Sequence, residues 1–217
     1  MKETDRRIRE EKLIAILRGV HGDDLLFAAE VFLRSGIRLI ELPFDRTGAF
    51  PAELTAAEIA LLCSRFPEAL SVGAGTVLTV RQAEAAIAAG AEYIISPNTD
   101  TAVIRRTKEL GAVSIPGALT PTEAAAAASA GADFVKIFPA DAFLPLYVKA
   151  IAAPLAGMRF LAVGGVNAET IASYLKAGYC GAGVGSCLAD RKLIAARDEA
   201  ALSALAARYV RAVREAV

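Results

Sequence analysis

The sequence predicts an α/β protein with a (β/α)8 TIM barrel fold, formed by a single domain over residues 1–217 with an extra N-terminal helix. Two observations predict this fold. Eight short apolar runs alternate with alanine-rich helical stretches, and no Pro/Ser-rich linker or change in composition interrupts them. Such alternation forms parallel sheets through right-handed crossovers, and eight units suit a closed barrel better than an open sheet. The predicted strands are residues 13–18, 39–44, 70–77, 93–97, 113–117, 134–139, 159–165 and 181–185.

The segments between the strands carry helical periodicity, for example at residues 23–34, 81–89, 121–130 and 168–176. Several of them end in a small residue followed by glycine, the usual C-cap that turns a helix back toward a sheet. These pairs are Ser35-Gly36, Ala89-Gly90, Ala130-Gly131 and Ala177-Gly178. We predict two further helices, at residues 1–11 and 198–217. The second has an apolar face that can cover the barrel exterior, formed by Leu202, Leu205, Tyr209, Val210 and Val213.

The amino-acid composition limits the classes of molecule that the protein is expected to bind. Hydrophobic residues make up 55% of the chain, mean hydropathy is +0.44, and the formal net charge is +0. This composition predicts an extensive core and excludes disorder, while the balanced charge gives no electrostatic footprint for nucleic acid or an anionic membrane. The N-terminus is charged, and no apolar run approaches the roughly 20 residues of a membrane span. We therefore expect a cytoplasmic protein whose partner is a small molecule.

Cysteine and histidine usage indicates neither a disulfide framework nor a metal site. The three cysteines, Cys63, Cys180 and Cys187, form no C-x-x-C pair, so free thiols are expected. His21 is the only histidine, and no His/Cys/carboxylate cluster has the spacing of metal ligands. We predict no metal.

Lys136 is the most informative residue. It lies in the middle of the apolar run 134–139, which is typical of a buried strand. Burial would lower the pKa of the amine from about 10.4 toward neutrality and make it a nucleophile for a ketone. A lysine can also pack its stem in the core while its ammonium reaches water at the strand end. For Lys136 alone both interpretations stay open.

Other polar residues fall at strand ends, where barrel enzymes carry their chemistry. Arg18 ends the first predicted strand, Glu41 faces away from the apolar residues of the second, Thr76 ends the third and Pro97 the fourth. A carboxylate, an amine and a cation at one mouth form a catalytic set. Each also has a structural alternative: Arg18 as a surface cation, Glu41 as a partner of Lys136 for structure only, and Thr76 as a helix cap.

Glycines accompany these residues. Gly73 and Gly75 flank the approach to Thr76, and we expect them to let backbone N–H groups approach a carboxylate. Gly164-Gly165 and Gly185-Ser186 follow the last two predicted strands. Barrels commonly bind phosphate there, at the N-terminus of a short extra helix. The sequence thus predicts a phosphate site at this side of the mouth.

Seven motifs, in order along the chain, give the sequence a family resemblance. They are Ile14-Ala-Ile-Leu-Arg-Gly19, Ile40-Glu41, Val72-Gly-Ala-Gly-Thr-Val77, Ile95-Ser-Pro97, Ile115-Pro-Gly117, Phe134-Val-Lys-Ile-Phe-Pro139, and Gly164-Gly165 with Gly185-Ser186. Over essentially its whole length the chain resembles the class I 2-keto-3-deoxy-6-phosphogluconate aldolases, which also include 4-hydroxy-2-oxoglutarate aldolases.

The resemblance implies a homotrimeric (β/α)8 barrel that reversibly cleaves 2-keto-3-deoxy-6-phosphogluconate to pyruvate and glyceraldehyde 3-phosphate, and 4-hydroxy-2-oxoglutarate to pyruvate and glyoxylate. It implies no cofactor, because a covalent imine through Lys136 does the chemistry. Glu41 matches the general acid/base of the family. The substrate-binding residues implied are Thr76 for the pyruvate carboxylate, Pro97 and Phe138 for the pocket wall, and Gly164, Gly165 and Ser186 for the phosphate.

The chain departs from the family pattern at two places. Relatives often have an arginine four residues after the glutamate, where this chain has Asp45, followed by Arg46. The carboxylate clamp is therefore either Arg18 or Arg46. The phosphate-side motif is often Thr-Gly-Gly, whereas Val163 precedes the glycines here. Valine also occurs in relatives resembling 2-keto-3-deoxy-6-phosphogalactonate aldolase, so the preferred C4 epimer stays open.

Two other functions fit parts of the pattern. One is a phosphate-binding barrel enzyme that isomerises or joins phosphorylated substrates without covalent attachment, with Lys136 as an electrostatic contact. The other is a non-catalytic phospho-sugar-binding barrel. Borohydride in the presence of pyruvate separates them, because only the imine mechanism leaves the pyruvyl group on the protein.

Overall fold

A computed structural model describes residues 3–45, 47, 50–155 and 157–216. The strands are β1 (Leu13–Ile16), β2 (Leu39–Pro43), β3 (Ser71–Gly75), β4 (Tyr93–Ile95), β5 (Val113–Ile115), β6 (Gly117–Ala118), β7 (Val135–Ile137), β8 (Phe160–Val163) and β9 (Gly181–Val184). The helices are α1 (Glu3–Glu11), α2 (Gly22–Arg34), α3 (Ala52–Arg65), α4 (Val80–Ala88), α5 (Thr101–Glu109), α6 (Pro121–Ser129), α7 (Tyr147–Ala152), α8 (Ile171–Ala177), α9 (Arg191–Ala195) and α10 (Glu199–Arg214).

The strands form one parallel sheet in the order β5-β4-β3-β2-β1-β9-β8-β7-β6. The two ends of this order, β5 and β6, are halves of one barrel strand, because only Pro116 separates them. The backbone of this segment bonds to both neighbours, through Ser96 N–H to Ile115 O at 3.2 Å and Lys136 N–H to Pro116 O at 2.8 Å. The sheet is therefore a ring of eight strand positions, broken at Pro116. The predicted (β/α)8 barrel is confirmed.

Strand alternation divides the core into two layers. Along β2 and just beyond it, Ile40, Leu42 and Phe44 pack outward against the helices, while Leu39 packs inside the barrel. The interior layer also contains Ile14, Tyr93, Phe134 and Leu161. The sequence predicted this alternation in the second strand, and with it the inward position of Glu41.

The extra N-terminal helix closes the lower end of the barrel. Ile8 of α1 is completely buried and belongs to the interior layer. The buried carboxylate of Asp5 forms an ion pair with Arg159 at 2.6 Å, which joins α1 to the residue just before β8. The trailing helix α10 packs on the exterior near α2 and α8, with Leu202, Ala206, Tyr209 and Val213 buried. Both additional helices are confirmed.

The cysteines, the lengths of the helices and the single histidine can be examined in the described part of the chain. The cysteines are free thiols, as predicted. Within the described residues, no helix is long and apolar enough to cross a membrane. The part of the chain that the structure describes also contains no cluster of three or more His, Cys, Asp or Glu side chains placed to hold a metal ion. His21 lies just before α2, where its ring stacks on Phe50 and bonds to Glu58 at 3.0 Å.

Candidate active site

The C-terminal ends of the strands surround one cavity of about 630 Å³, within the size range of small-molecule sites. All nine predicted site residues line it: Arg18, Glu41, Thr76, Pro97, Lys136, Phe138, Gly164, Gly165 and Ser186. These residues come from seven loops and strands that are distant in sequence. The barrel therefore assembles the predicted set in one place.

Lys136 is the central residue of β7 and is 6% exposed. Its neighbours Val135 and Ile137 pack in the outer layer, so the lysine side chain points into the barrel. Burial lowers the pKa of the Lys136 amine; the Glu41 carboxylate opposes this shift, and the Arg18 cation adds to it. The Lys136 Nζ atom lies 4.4 Å from the ring centroid of Phe138, which forms part of the apolar surroundings of the amine. The amine is thus held in an environment that favours its neutral, nucleophilic form.

Glu41 lies on β2 and is 1% exposed. Burial raises the pKa of its carboxyl group, while Lys136 and Arg18 lower it. Among the described residues, no hydrogen-bond partner reaches its Oε2 atom, and no direct ion pair joins it to Lys136. The two groups therefore interact electrostatically without a direct ion pair. A buried, unpaired carboxyl oxygen facing a cavity is instead available to a substrate or a water molecule.

Gly73 and Gly75 are required by the packing around the site. A side chain at Gly75 would overlap the Glu41 carboxylate, and one at Gly73 would overlap the ring of Tyr93. The glycines therefore make room for side chains of the protein itself. Tyr93 donates a hydrogen bond from its hydroxyl to Ile40 O at 2.7 Å. This tyrosine was not among the residues predicted for the site. A polar aromatic residue in a fully buried strand was the signal that could have identified it.

Thr76 lies one residue beyond β3 and has φ of +54°. This left-handed conformation is strained for a β-branched residue and costs roughly 1–3 kcal/mol, so the surrounding structure must hold it. The Arg18 guanidinium donates a hydrogen bond to Thr76 Oγ1 at 3.4 Å. Together they form a cationic, hydroxyl-bearing corner of the cavity. Arg46, the alternative carboxylate clamp, lies outside the described residues.

The opposite side of the cavity is formed by the turns after β8 and β9. Gly164 and Gly165 have φ of +93° and +69°, which only glycine adopts without strain, and a side chain at Gly165 would overlap Asp141. Ser186 is exposed in the second turn. The short extra helix is present as α9, but the Asp190 carboxylate already accepts hydrogen bonds from its first amides, Lys192 N–H at 2.8 Å and Leu193 N–H at 3.3 Å.

The Asp190 side chain thus occupies two backbone amides at the start of α9, while the turns after β8 and β9 line the cavity. Arg191, the first residue of α9, also lines the cavity. The sequence places this arginine at the start of a helix, apart from the strand ends that predicted the other site residues. A cation five residues after Ser186 was the available signal.

A buried amine with a lowered pKa, a buried carboxyl group near it, and a cationic corner at the mouth of a (β/α)8 barrel define a class of enzyme, the aldolases that use a lysine. Comparison with known proteins agrees with this class. Residues 4–205 match the family described as "Aldolase: KDPG and KHG aldolase". The chain belongs to this family, and it is a lyase.

The similar proteins include enzymes named for different substrates. The chain is 37% identical over 206 residues to the 2-dehydro-3-deoxy-6-phosphogalactonate aldolase of Escherichia coli K12, covering 94% of this chain and 96% of that protein. It is 29% identical over 189 residues to the 2-dehydro-3-deoxy-phosphogluconate aldolase of Haemophilus influenzae, covering 87% and 86%. The KDPG aldolase of Legionella pneumophila, solved with pyruvate captured as a covalent carbinolamine, superposes with a TM-score of 0.83 at 25% identity, covering 95% of this chain and 97% of that one.

Proposed function

We propose that this chain is a class I aldolase that cleaves 2-keto-3-deoxy-6-phosphogluconate to pyruvate and glyceraldehyde 3-phosphate through an imine on Lys136, without a cofactor. The observation that carries the proposal is the Lys136 amine, which faces the cavity with its pKa lowered by burial. The corresponding galactonate epimer is a second candidate substrate. It is supported by the 37% identity to the Escherichia coli galactonate enzyme, although the gluconate aldolase of Treponema pallidum is almost as similar at 35%.

The proposed mechanism begins when the neutral Lys136 amine attacks the C2 ketone. The resulting carbinolamine loses water to give an iminium ion, which is an electron sink. Glu41 accepts the proton of the C4 hydroxyl, the C3–C4 bond breaks, and its electron pair forms an enamine while the aldehyde leaves. Glu41 returns the proton to C3, and water hydrolyses the iminium to release pyruvate and restore the amine. One carboxyl group serves each proton transfer.

The two sides of the cavity suit the two ends of this substrate. Arg18 and Thr76 would bind the carboxylate of the keto acid, since their hydrogen bond places a cation beside a hydroxyl. Pro97 and Phe138 would line the wall beside the reacting carbons. Gly164, Gly165 and Ser186 would bind the phosphate through backbone amides and a hydroxyl. We propose the same roles for 4-hydroxy-2-oxoglutarate, which lacks the phosphate.

We further propose a cytoplasmic homotrimer. An apolar patch follows β7, where Phe143, Leu144 and Leu146 are 47%, 78% and 59% exposed and Phe143 stacks on Tyr147. Exposed apolar patches of this kind are typical of protein interfaces. The molar mass in solution, measured by light scattering, tests the trimer.

Two assays test the proposed function. Cleavage of both phosphorylated epimers and of 4-hydroxy-2-oxoglutarate should be detected by coupled assay of pyruvate. Borohydride added with pyruvate should inactivate the enzyme and add a reduced pyruvyl group to it. Cleavage without an adduct would favour non-covalent chemistry, and binding of a phospho-sugar without cleavage would favour a binding protein.

Because the side chain of Val163 is apolar, we expect the enzyme to discriminate only weakly between the gluconate and galactonate epimers. Val163 is buried at the end of β8, lines the cavity and has no hydroxyl with which to bind a substrate hydroxyl. Val163→Thr, which keeps the shape, should shift the ratio of kcat/KM values toward the gluconate epimer, whereas Val163→Ala should not. An apolar contact distinguishes hydroxyl placement by about a hundredfold at most. A wild-type preference of more than about a thousandfold would contradict this account of Val163.

Removing the Ser186 hydroxyl is expected to weaken binding of the substrate phosphate. Ser186→Ala should raise KM for the phosphorylated substrates about tenfold or more, because a hydrogen bond to a charged group is lost, and it should leave KM for 4-hydroxy-2-oxoglutarate unchanged. Cys187→Ala is the matched control, since Cys187 lies in the same turn and lines the same cavity. Equal effects on phosphorylated and unphosphorylated substrates would assign Ser186 another role.

A further inference from the structure

Arg191 is a cation on the cavity wall without an assigned role. Its side chain is exposed and lines the cavity that contains Lys136. The guanidinium lies against the turn after β1, with Nη1 at 3.6 Å from the position that a Cβ of Gly19 would take. It thus reaches from the start of α9 across to the neighbouring strand end, rather than extending away from the barrel.

The backbone that carries Arg191 is well anchored. Leu188 and Ala189 are buried, and their N–H groups both bond to Gly185 O at 2.9 Å. Asp190 then caps α9 through Lys192 N–H and Leu193 N–H. The segment from Ser186 to Arg191 is therefore one anchored turn that presents a hydroxyl at one end and a guanidinium at the other.

The charges of the cavity leave this guanidinium available to a ligand. Among the described residues that line the cavity, Glu41 is the one carboxylate, whereas Arg18, Lys136 and Arg191 can each be cationic. Arg18 bonds to Thr76 on the other side. Within the described part of the chain, no carboxylate lies within ion-pair distance of Arg191, while the nearby Asp24 already pairs with Arg197 at 3.1 Å. A cation that lines a cleft and has no carboxylate within ion-pair distance raises the local concentration of anions.

We propose that Arg191 binds the terminal phosphate of the substrate and makes the enzyme selective for phosphorylated aldehydes over unphosphorylated ones. This inference rests on the proposed function and deepens it. The planar guanidinium forms paired hydrogen bonds to phosphate oxygens, a geometry that the single hydroxyl of Ser186 cannot supply. Carboxylate and phosphate would then each meet one arginine, Arg18 at one end and Arg191 at the other.

Kinetics of Arg191→Ala and Arg191→Lys test the proposal. Arg191→Ala should raise KM for the phosphorylated epimers about tenfold or more with kcat changed less than about twofold, because the contact is remote from the reacting bond. KM for 4-hydroxy-2-oxoglutarate should not change. Arg191→Lys should recover part of the loss, since an ammonium binds phosphate as a point charge. No change, or an equal change for the unphosphorylated substrate, would overturn the proposal.

Lys192→Ala is the matched control. Lys192 is the next residue of α9 and is equally exposed, but it lines a neighbouring cavity and not the one with Lys136. It should leave every KM unchanged. If Lys192→Ala raised KM for the phosphorylated substrates as much as Arg191→Ala does, the effect would come from general positive charge. The proposed contact between Arg191 and the phosphate would then be wrong.

Binding of inorganic phosphate, measured by calorimetry on wild-type enzyme and on Arg191→Ala, is independent of turnover. Weaker binding by Arg191→Ala is expected, and equal affinity, or no binding by the wild type, would overturn the role of Arg191. Failure of the wild type to cleave either phosphorylated epimer would instead overturn the proposed function. The two failures are therefore distinguishable.

Discussion

Lys136→Ala is expected to abolish both aldol cleavage and the trapping of pyruvate by borohydride. The amine is the nucleophile of the proposed mechanism, and Lys136 is the one lysine among the described residues that line the cavity. The fold should persist, because the change removes a buried ionisable group at the cavity wall rather than an apolar residue of the core. Cleavage assays and intact-protein mass spectrometry measure the loss, and circular dichroism checks the fold.

Two companion variants sharpen this test. Lys136→Met retains most of the side-chain volume and should be equally inactive, which separates loss of the amine from loss of packing. Lys149→Ala removes an exposed lysine of α7 and should remain active and trappable. Peptide mapping should find the reduced pyruvyl group on Lys136 in the wild type. An adduct on a different lysine would refute the assignment.

Glu41→Gln is expected to slow both imine formation and turnover by roughly 100-fold or more, the usual scale of general acid–base catalysis. Glutamine keeps the shape and some hydrogen bonding of the carboxyl group but cannot carry the proton between the C4 oxygen and C3. Single-turnover trapping with borohydride measures imine formation, and steady-state cleavage measures kcat.

Asp45→Asn is the control for Glu41. The Asp45 carboxylate accepts hydrogen bonds from Thr47 N–H at 3.1 Å and Phe50 N–H at 3.0 Å, so it serves the turn after β2. This variant should change kcat far less than Glu41→Gln does. A near-wild-type rate for Glu41→Gln together with a large loss for Asp45→Asn would move the acid–base role to Asp45.

The sequence was sufficient to predict which residues meet at the mouth of the barrel, because its signals are local. A lysine within an apolar strand and a glutamate at an inward position of an alternating strand can each be recognised without knowing the packing. The fold then required both to meet, since the C-terminal ends of barrel strands share one mouth. Burial of Lys136 and Glu41 in the structure follows the pattern of their own strands.

Other features depend on contacts between distant segments and could not be predicted. The strand is broken at Pro116, between β5 and β6. In the sequence this segment has the pattern of one continuous strand, because the proline does not interrupt its apolar character. The reason for Gly75 appears only when the Glu41 carboxylate occupies its side-chain space. Arg191 belongs to a helix in the sequence, and only the three-dimensional turn brings it to the cavity.

The helix that closes the lower end of the barrel has a kinetic consequence. Ile8 fills the interior beneath the site and is 0% exposed, so in the described part of the chain the cavity opens toward the C-terminal ends of the strands. Lys136 lies at the buried end and Ser186 at the exposed end. In the proposed mechanism the pyruvyl group would stay covalently attached below after bond cleavage, with the aldehyde between it and solvent. Under the proposed mechanism the products therefore depart in an obligatory order, aldehyde first and pyruvate last, and condensation requires pyruvate to enter before the aldehyde.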